Sequence, residues 1–307
     1  MNVDYAIIIK NKTRLEALIE RFNTKAQAKF YIQSLGGDFF DYEKEHEIFH
    51  QSLSTVQRNL SKILKNKIVE RSFLPSFIFS SNQVVITVGQ DGLVANTAKY
   101  VQQIPIVAVN PDIERFDGIL MPFNSSNFLA GIDKVMSNNY NSKLTSFAEA
   151  KLNDGQRLLA FNDLFIGATS HVSARYRVTY NNKTEEHSSS GIIVSTQAGS
   201  TGWLSSIFNM SFSVQKFIHK DNAKYKQKNP KDNQLMFVVR EPFASKKTQI
   251  ETVAGLITGH SKLIIQSLMP SNGLIFSDGI ETDFLRFNAG TIATIGIAEE
   301  KANLVVL

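Results

Sequence analysis

A short apolar run that ends in a glycine turn is the feature that most limits how this chain can fold. The run covers residues 84–88 and is followed by Gly89-Gln90-Asp91-Gly92. Five β-favouring residues bounded by glycine predict a buried strand with a sharp turn at its carboxyl end. Ligands of α/β proteins bind at that end of the sheet. The segment therefore predicts a ligand site, although an ordinary turn also explains it when it is taken alone.

The segments around this run alternate between helical and strand-like patterns up to about residue 136. This alternation predicts parallel strands joined by helical crossovers. The predicted strands cover residues 1–10, 84–88 and 106–109, and the predicted helices cover 13–35, 42–64, 94–102 and 128–136.

The pattern changes near residue 153 to short strands separated by Asn, Gly, Ser and Pro, which predicts a mostly β region. We therefore predict two domains. The first is an α/β domain with a parallel sheet over residues 1–140. The second is a mostly β domain over residues 141–307, with a C-terminal end that can return to the first domain. The predicted strands of the second domain are 157–166, 174–180, 192–195, 235–239, 262–267, 274–276 and 291–297.

The composition is that of an ordinary globular protein, with 43% apolar and 20% charged residues in 307. No apolar run approaches the ~20 residues of a membrane span, so no membrane partner is predicted. The first ten residues resemble a strand more than a signal peptide, and this favours a cytoplasmic location. The absence of cysteine excludes disulfides, thiolate catalysis and cysteine-based metal sites.

The net charge of +5 favours anionic ligands. Six lysines lie between Lys216 and Lys231, but little aromatic interleaving accompanies them. We therefore predict a solvated loop or helix face there and no nucleic-acid partner. Four arginines suit either phosphate binding or ordinary ion pairs: Arg115, Arg175, Arg177 and Arg240.

Two later segments also carry polar groups that a ligand can use. Residues 188–203 form a short apolar strand that opens into a loop of small residues and hydroxyls and ends on Trp203. Glycines let such a loop approach a sugar-phosphate closely, and a tryptophan can cover a planar ring. Asn162-Asp163 lies inside an apolar run. Because burial of this pair without partners is costly, it either caps a local turn or faces a ligand.

In their order along the chain, the three segments resemble the NAD kinase family, which has a Gly-Gly-Asp-Gly turn, an Asn-Glu pair and a Ser-Thr-Pro-Thr-Gly-Ser-Thr-Ala-Tyr loop. The resemblance covers about residues 84–307 and is closest to the mitochondrial-type NAD kinases. Four further pieces are similar to that branch: residues 109–112 with Glu114-Arg115, Ser189-Ser190-Gly191, residues 239–242, and Ser277-Asp278-Gly279.

The resemblance implies a two-domain NAD kinase-like fold that transfers the terminal phosphoryl group of ATP to the 2′-hydroxyl of the adenosine ribose of NAD. It implies Mg²⁺ or another divalent cation, and a homodimer. Asp91 would be the catalytic residue, as a base or as a metal ligand. The implied binding residues are Gly89, Gln90, Gly92, Asn162, Asp163, Ser190, Thr196, Gly199, Ser200, Thr201, Gly202 and Trp203.

Three departures from the family pattern keep alternatives open. Gln90 replaces a glycine, Leu93 replaces a threonine, and Asp163 is one methylene shorter than the usual glutamate. These changes suit a catalytically weak nucleotide-binding sensor. A related lipid or small-molecule kinase would need Asn162-Asp163 less.

A metal hydrolase is the remaining alternative, because residues 46–50 match the H-E-x-x-H pattern of zinc hydrolases. Such an enzyme needs a third ligand, and the other histidines lack a partner spacing. A helix that exposes His46 and His50 to solvent is the simpler interpretation.

Overall fold

The computed structural model describes residues 3–220 and 226–307, which form two compact units. The first unit comprises Met1–Leu144 and Ala302–Leu307, and the second comprises Thr145–Lys301. The predicted fold class is confirmed, because the first unit has a parallel sheet with helices and the second is mostly β. Lys224 of the predicted lysine face lies outside the described residues, whereas Lys216, Lys220, Lys226, Lys228 and Lys231 are exposed.

The first unit alternates strands and helices around one sheet. Its elements in chain order are β1 (Tyr5–Lys10), α1 (Arg14–Phe22), α2 (Lys25–Ser34), α3 (Phe39–Leu60), β2 (Lys65–Glu70), a 3-10 helix (Arg71–Ser76), β3 (Gln83–Val88), α4 (Asp91–Val101), β4 (Ile106–Asn110), β5 (Phe123–Asn124) and α5 (Phe128–Met136).

The strands of this unit pair in parallel in the order β2-β1-β3-β4, and β5 also pairs with β4. Residues 84–88 of β3 have almost no solvent exposure, as a strand covered on both faces requires. In the register, Lys10 lies opposite Val88, and Val88 lies opposite Val109. The carboxyl ends of β1, β3 and β4 therefore lie at one edge, immediately before the glycine turn.

Two helix predictions were wrong in this unit. The helix predicted over 13–35 is two helices, because Asn23 adopts a left-handed backbone (φ 63°) and Thr24 then caps α2 by accepting a hydrogen bond from Gln27. The second helix begins at Phe39, where Asp38 is the cap, and ends at Leu60. Residues 65–70 form an unpredicted strand whose polar sequence lacks an apolar run.

The second unit is built from antiparallel strands and one long helix. Its elements are β6 (Ser142–Leu152, which begins in the first unit), β7 (Arg157–Ala160), β8 (Asp163–Ala168), β9 (Ala174–Tyr180), β10 (Lys183–Ser189), β11 (Ile192–Ser195), a 3-10 helix (Ala198–Thr201), α6 (Trp203–His219), β12 (Leu235–Val239), β13 (Ala254–Ile257), β14 (Leu263–Ser267), β15 (Gly273–Ser277), β16 (Ile280–Arg286) and β17 (Ile292–Val305, which ends in the first unit).

These strands form two sheets that enclose one hydrophobic core. One sheet runs β10-β9-β14-β17, with β6 paired to β17 and β7, and the other runs β13-β12-β11-β8-β15-β16. Tyr176 and Ile265 of the first sheet lie in the same buried cluster as Ile166, Val194 and Phe237 of the second. Since the alternate residues of each strand point to this core, the unit is a β-sandwich.

Several predictions for this unit needed correction. Residues 157–166 are two strands separated by a bend at Phe161 and Asn162. Trp203 begins a 17-residue helix, although the sequence predicted only a loop there. The strands β6, β10, β13 and β16 were not predicted; β10 in particular is rich in polar residues. Within residues 3–220 and 226–307, every helix is too short or too polar to cross a membrane.

Candidate functional site

The glycine turn of the first unit joins a buried parallel strand to the N-terminus of a helix. The Gly89 N–H donates to the Val109 carbonyl at 3.3 Å, and α4 begins at Asp91. Asp91 is therefore the first helical residue and not a loop residue. The first N–H groups of a helix lack partners within the helix, and its N-terminus carries partial positive charge. This arrangement suits an anionic group such as phosphate.

The carboxylate of Asp91 is held by backbone groups of a neighbouring loop. Its Oδ1 accepts the Leu120 N–H at 2.8 Å, and its Oδ2 accepts the Ile119 N–H at 3.3 Å. Asp91 is half-buried, so the residue is partly accessible to solvent. Each oxygen has a further lone pair after these bonds. The carboxylate is therefore oriented by the fold and still able to accept a proton or contact a cation.

The other residues of the turn differ in how strictly the fold requires them. A Cβ at Gly89 would lie 2.7 Å from Leu93 Cδ2, whereas a Cβ at Gly92 would meet nothing within 4 Å. Leu93 is buried and packs under the turn. Gln90 is exposed and has φ −101°, a conformation that any residue adopts. The departure at Gln90 is thus compatible with the turn itself.

The Asn162-Asp163 pair of the second unit is organised by Asp278. The carboxylate of Asp278 accepts the N–H groups of Phe161 at 3.1 Å, Asn162 at 2.7 Å and Asp163 at 3.2 Å. In return, the Asp278 N–H donates to the Asp163 carbonyl at 2.9 Å. The bend before β8 is therefore closed by a charged side chain from the β15–β16 turn.

The loop that follows β11 packs against the same bend. The Thr196 N–H donates to the Asn162 carbonyl at 2.9 Å, and the Thr196 hydroxyl donates to the Phe161 carbonyl at 2.6 Å. The Gly199 N–H donates to Thr196 Oγ1 at 3.2 Å. A Cβ at Gly199 would stand 2.4 Å from the Asn162 carbonyl oxygen. Only glycine fits here, so the two segments form one interlocked cluster.

The carboxyl group of Asp163 has a raised pKa within this cluster. Burial raises its pKa to about 7, with a further contribution from the negative charge of Asp278, while the Ser195 hydroxyl acts in the opposite direction. One of its carboxylate oxygens, Oδ1, is buried without a hydrogen-bond partner. A buried polar atom of this kind is costly. Protonation would remove the negative charge from this buried carboxyl group, in keeping with its raised pKa.

Ser190 and Trp203 line a pocket of about 520 Å³ in the second unit. The Trp203 ring stacks on Phe165 with centroids 5.8 Å apart and planes 10° apart. The Arg240 guanidinium carbon lies 5.4 Å from the centroid of the Trp203 ring. The other lining residues include Leu274, Phe276, Phe284, His171 and Glu281. Aromatic walls beside one guanidinium suit a planar ring that carries an anionic group.

The remaining predicted residues lie where the loop leads into α6. Ser200 is buried, and its hydroxyl donates to the Gln197 carbonyl at 2.7 Å. Thr201 and Gly202 are exposed next to the N-terminus of α6. The second unit therefore brings Asn162, Asp163, Thr196 and Gly199 into one cluster and places Ser190 and Trp203 in the pocket. The Gly89–Gly92 turn with Asp91 belongs to the first unit.

The sequence placed Asp278 in a segment similar to the family without giving it a role, and it gave no role to Phe165. Asp278 does occupy a turn with a left-handed backbone, φ 53°, but its bonds to three N–H groups also position Asn162. Of the four arginines, Arg115 pairs with Asp41 and Glu45, Arg175 pairs with Glu186, and Arg240 lines the pocket. In the sequence, Asp278 was indicated by the similarity of the Ser277-Asp278-Gly279 segment to the family.

The residues of the turn fit a magnesium ion. Mg²⁺ is usually held by one or two carboxylates together with water and substrate phosphates. Asp91 offers one oriented carboxylate beside a helix N-terminus that suits phosphate. A dedicated cage of several protein ligands is not needed for this ion.

Comparison with solved structures identifies the fold. The chain is similar to yeast NADH kinase complexed with NADH, with 13% identity, a TM-score of 0.58, and coverage of 100% of this chain and 84% of that one. It is also similar to an NAD kinase from Archaeoglobus fulgidus in complex with ATP, with 14% identity, a TM-score of 0.54, and coverage of 98% and 92%.

These likenesses show a two-domain NAD kinase-like fold over the full chain. No protein-family model matches the sequence, and no curated protein matches it. At 13–14% identity the likeness concerns the fold, and the mitochondrial-type subtype stays a prediction.

Proposed function

We propose that this protein is an NAD(H) kinase that transfers the terminal phosphoryl group of ATP to the 2′-hydroxyl of the adenosine ribose. One observation carries the proposal. Three segments that resemble the family meet in the second unit: the Asn162-Asp163 pair, the loop after β11 and the Ser-Asp-Gly turn. Asn162 contacts Gly199 and Thr196 of the loop and Asp278 of the turn. The two similar structures support the substrates, since one is complexed with NADH and the other with ATP.

Asp91 would position the attacking hydroxyl and take its proton. The 2′-oxygen forms a new bond to the terminal phosphorus as the bond between that phosphorus and the bridging oxygen of ADP breaks. The N-terminus of α4 and the close backbone at Gly89 would receive phosphate oxygens. Such transfers depend on positioning and charge neutralisation more than on covalent chemistry. A bound Mg²⁺ would supply charge neutralisation, and the alternative role of Asp91 is to hold that ion.

The second unit would hold the dinucleotide. Asn162 and Asp163 would hydrogen-bond the adenosine, as the matching positions of the family imply. The pocket of Ser190 and Trp203 would cover a planar ring, and Arg240 beside it would neutralise an anionic group. Ser200, Thr201 and Gly202 would contribute the adjacent backbone at the N-terminus of α6.

Purified full-length protein incubated with Mg²⁺, NAD or NADH, and either ATP or polyphosphate tests the proposal. We expect NADP or NADPH to accumulate with ATP, measured by liquid chromatography, and to be absent from parallel reactions with Asp91→Asn. Tight NAD binding by calorimetry without product would favour the nucleotide-binding sensor. Phosphorylation of another hydroxylated substrate, with no NAD binding, would favour a related kinase.

The predicted homodimer is part of this proposal. Several apolar side chains of α6 are exposed, among them Met210, Val214 and Phe217 by 50%, 47% and 83%. Exposed apolar patches of this kind often mark interfaces. Light scattering should give twice the chain mass, and Phe217→Ser should shift the protein to monomer. Phe243→Ser, which removes another exposed phenylalanine outside α6, is the control. A cytoplasmic location stays a prediction from the sequence.

A further inference from the structure

The histidines of the H-E-x-x-H segment are not simply exposed to solvent, as the sequence had suggested. Both are half-buried on α3 and face residues of α1 and its cap. His50 Nε2 lies 3.1 Å from Glu16 Oε1, and His46 Nδ1 lies 2.9 Å from Thr13 Oγ1. The two imidazole rings have centroids 4.3 Å apart. The fold therefore brings a carboxylate from one helix to a histidine pair on another.

We propose that Glu16, His46 and His50 form a zinc-binding site. One ligand atom from each residue lies within 4.8 Å of the other two. Around tetrahedral zinc, ligand atoms are roughly 3.3 Å apart, as bonds of ~2.0–2.1 Å require. Side-chain rotations that move the ligand atoms by about an ångström would bring them to this separation. Two histidines and one carboxylate leave a fourth position for water, a common arrangement for this metal.

The surroundings orient two of the three ligands. Glu16 is fixed by the capping box of α1, in which its Oε2 accepts the Thr13 N–H at 2.8 Å. The contact between His46 Nδ1 and the Thr13 hydroxyl leaves the other ring nitrogen free. Metal-binding histidines usually have such a partner on the nitrogen that does not bind the metal. Lys10 Nζ lies 3.5 Å from Glu16 Oε1, and the metal would replace this long contact.

The geometry supports metal binding without hydrolysis. In zinc hydrolases with this motif, the glutamate between the histidines acts as the base. Here Glu47 is exposed, and its carboxylate contacts Gln51 one turn further along α3 at 3.5 Å. The proposed ion would instead link α1 to α3, which already contact each other. This role is independent of the proposed kinase activity.

Zinc titration of the full-length protein, in competition with a chromophoric chelator, tests the site. Wild type should bind one Zn²⁺ per chain, and His50→Gln or His46→Gln should weaken binding at least tenfold. His260→Gln, which removes an exposed histidine elsewhere, should leave it unchanged. Equal affinity in wild type and His50→Gln, or no saturable binding by wild type, would overturn the proposal.

A second measurement uses only the wild-type protein, so it does not depend on how the variants fold. Co²⁺ substituted for Zn²⁺ should give the strong visible absorption of a tetrahedral site, and excess Zn²⁺ should remove it. In histidine ¹H–¹⁵N spectra, zinc should shift the resonances of His46 and His50 alone. Shifts confined to His171, His219 or His260 would refute the assignment.

Discussion

Gly199 and Asn162 are in direct backbone contact, so that a Cβ added at residue 199 would lie 2.4 Å from the Asn162 carbonyl oxygen. The contact joins the loop after β11 to the bend before β8. Both segments contain residues proposed to bind the dinucleotide. The distance between these two segments is therefore set by the absence of a side chain at Gly199.

Gly199→Ala should destabilise the protein and weaken NAD binding together. The added methyl group must push the loop away from Asn162, and overpacking of this kind costs about 1–3 kcal/mol. Urea unfolding measures the stability, and calorimetry measures the affinity for NAD. Gly259→Ala is the matched control, because a Cβ there meets nothing within 4 Å. Unchanged stability and affinity in Gly199→Ala would show that the contact is readily relieved.

Asp91→Asn should lower the rate of NADP formation at least ~100-fold while NAD still binds, since a positioned acid–base group usually contributes 10²–10⁴-fold. A stability loss of about 1 kcal/mol is also expected, because an amide nitrogen would face one of the two loop N–H groups that the carboxylate now accepts. Initial rates, calorimetry and thermal melting separate these effects. Asp117→Asn, an exposed carboxylate nearby, should retain wild-type rates. A normal rate in Asp91→Asn would remove this residue from the mechanism.

Gln90→Gly should be tolerated or should raise the turnover rate. Gln90 is exposed, makes no side-chain hydrogen bond to cap α4 and needs no unusual backbone angle, so its removal should alter stability by only a few tenths of a kcal/mol. Gln90→Ala separates loss of the amide from added backbone freedom. A large rate loss in both variants, measured at saturating substrates, would mean that the amide itself contacts a ligand.

The sequence predicted well where a segment determines its own structure. Residues 84–88 are an apolar run bounded by glycine, and residues 128–136 have helical spacing; the structure has β3 and α5 there. It failed where a distant partner decides. β10 is polar, yet it is a strand because β9 pairs along its whole length.

The candidate site also depends on partners that are distant along the chain. The resemblance named Asn162 and Gly199, but no local pattern could indicate that they touch each other. Asp278 closes the bend from 115–117 residues away along the chain. Glu16 lies 34 residues from His50, which is why the sequence gave the H-E-x-x-H pair no third ligand.

Asp163 should make the stability of the protein depend on pH above about 4. An aspartate in an unfolded chain has a pKa near 3.9, and burial raises the folded value to about 7. Because the folded pKa is the higher one, the folded state binds more protons between these values. The contribution is fully present below about pH 4 and is lost as the pH rises through about 7.

Unfolding in urea at pH 5 and pH 8 measures this contribution. Wild type should lose at most about 3 kcal/mol between the two values because of Asp163, since each pH unit below the folded pKa corresponds to about 1.4 kcal/mol. Asp163→Asn has no carboxyl group to ionise, so its stability should change less over the same interval. Asp133→Asn, which removes an exposed carboxylate on α5, should keep the wild-type dependence. If Asp163→Asn and wild type lose equal stability, the carboxyl group of Asp163 titrates at its ordinary value and its burial does not raise its pKa.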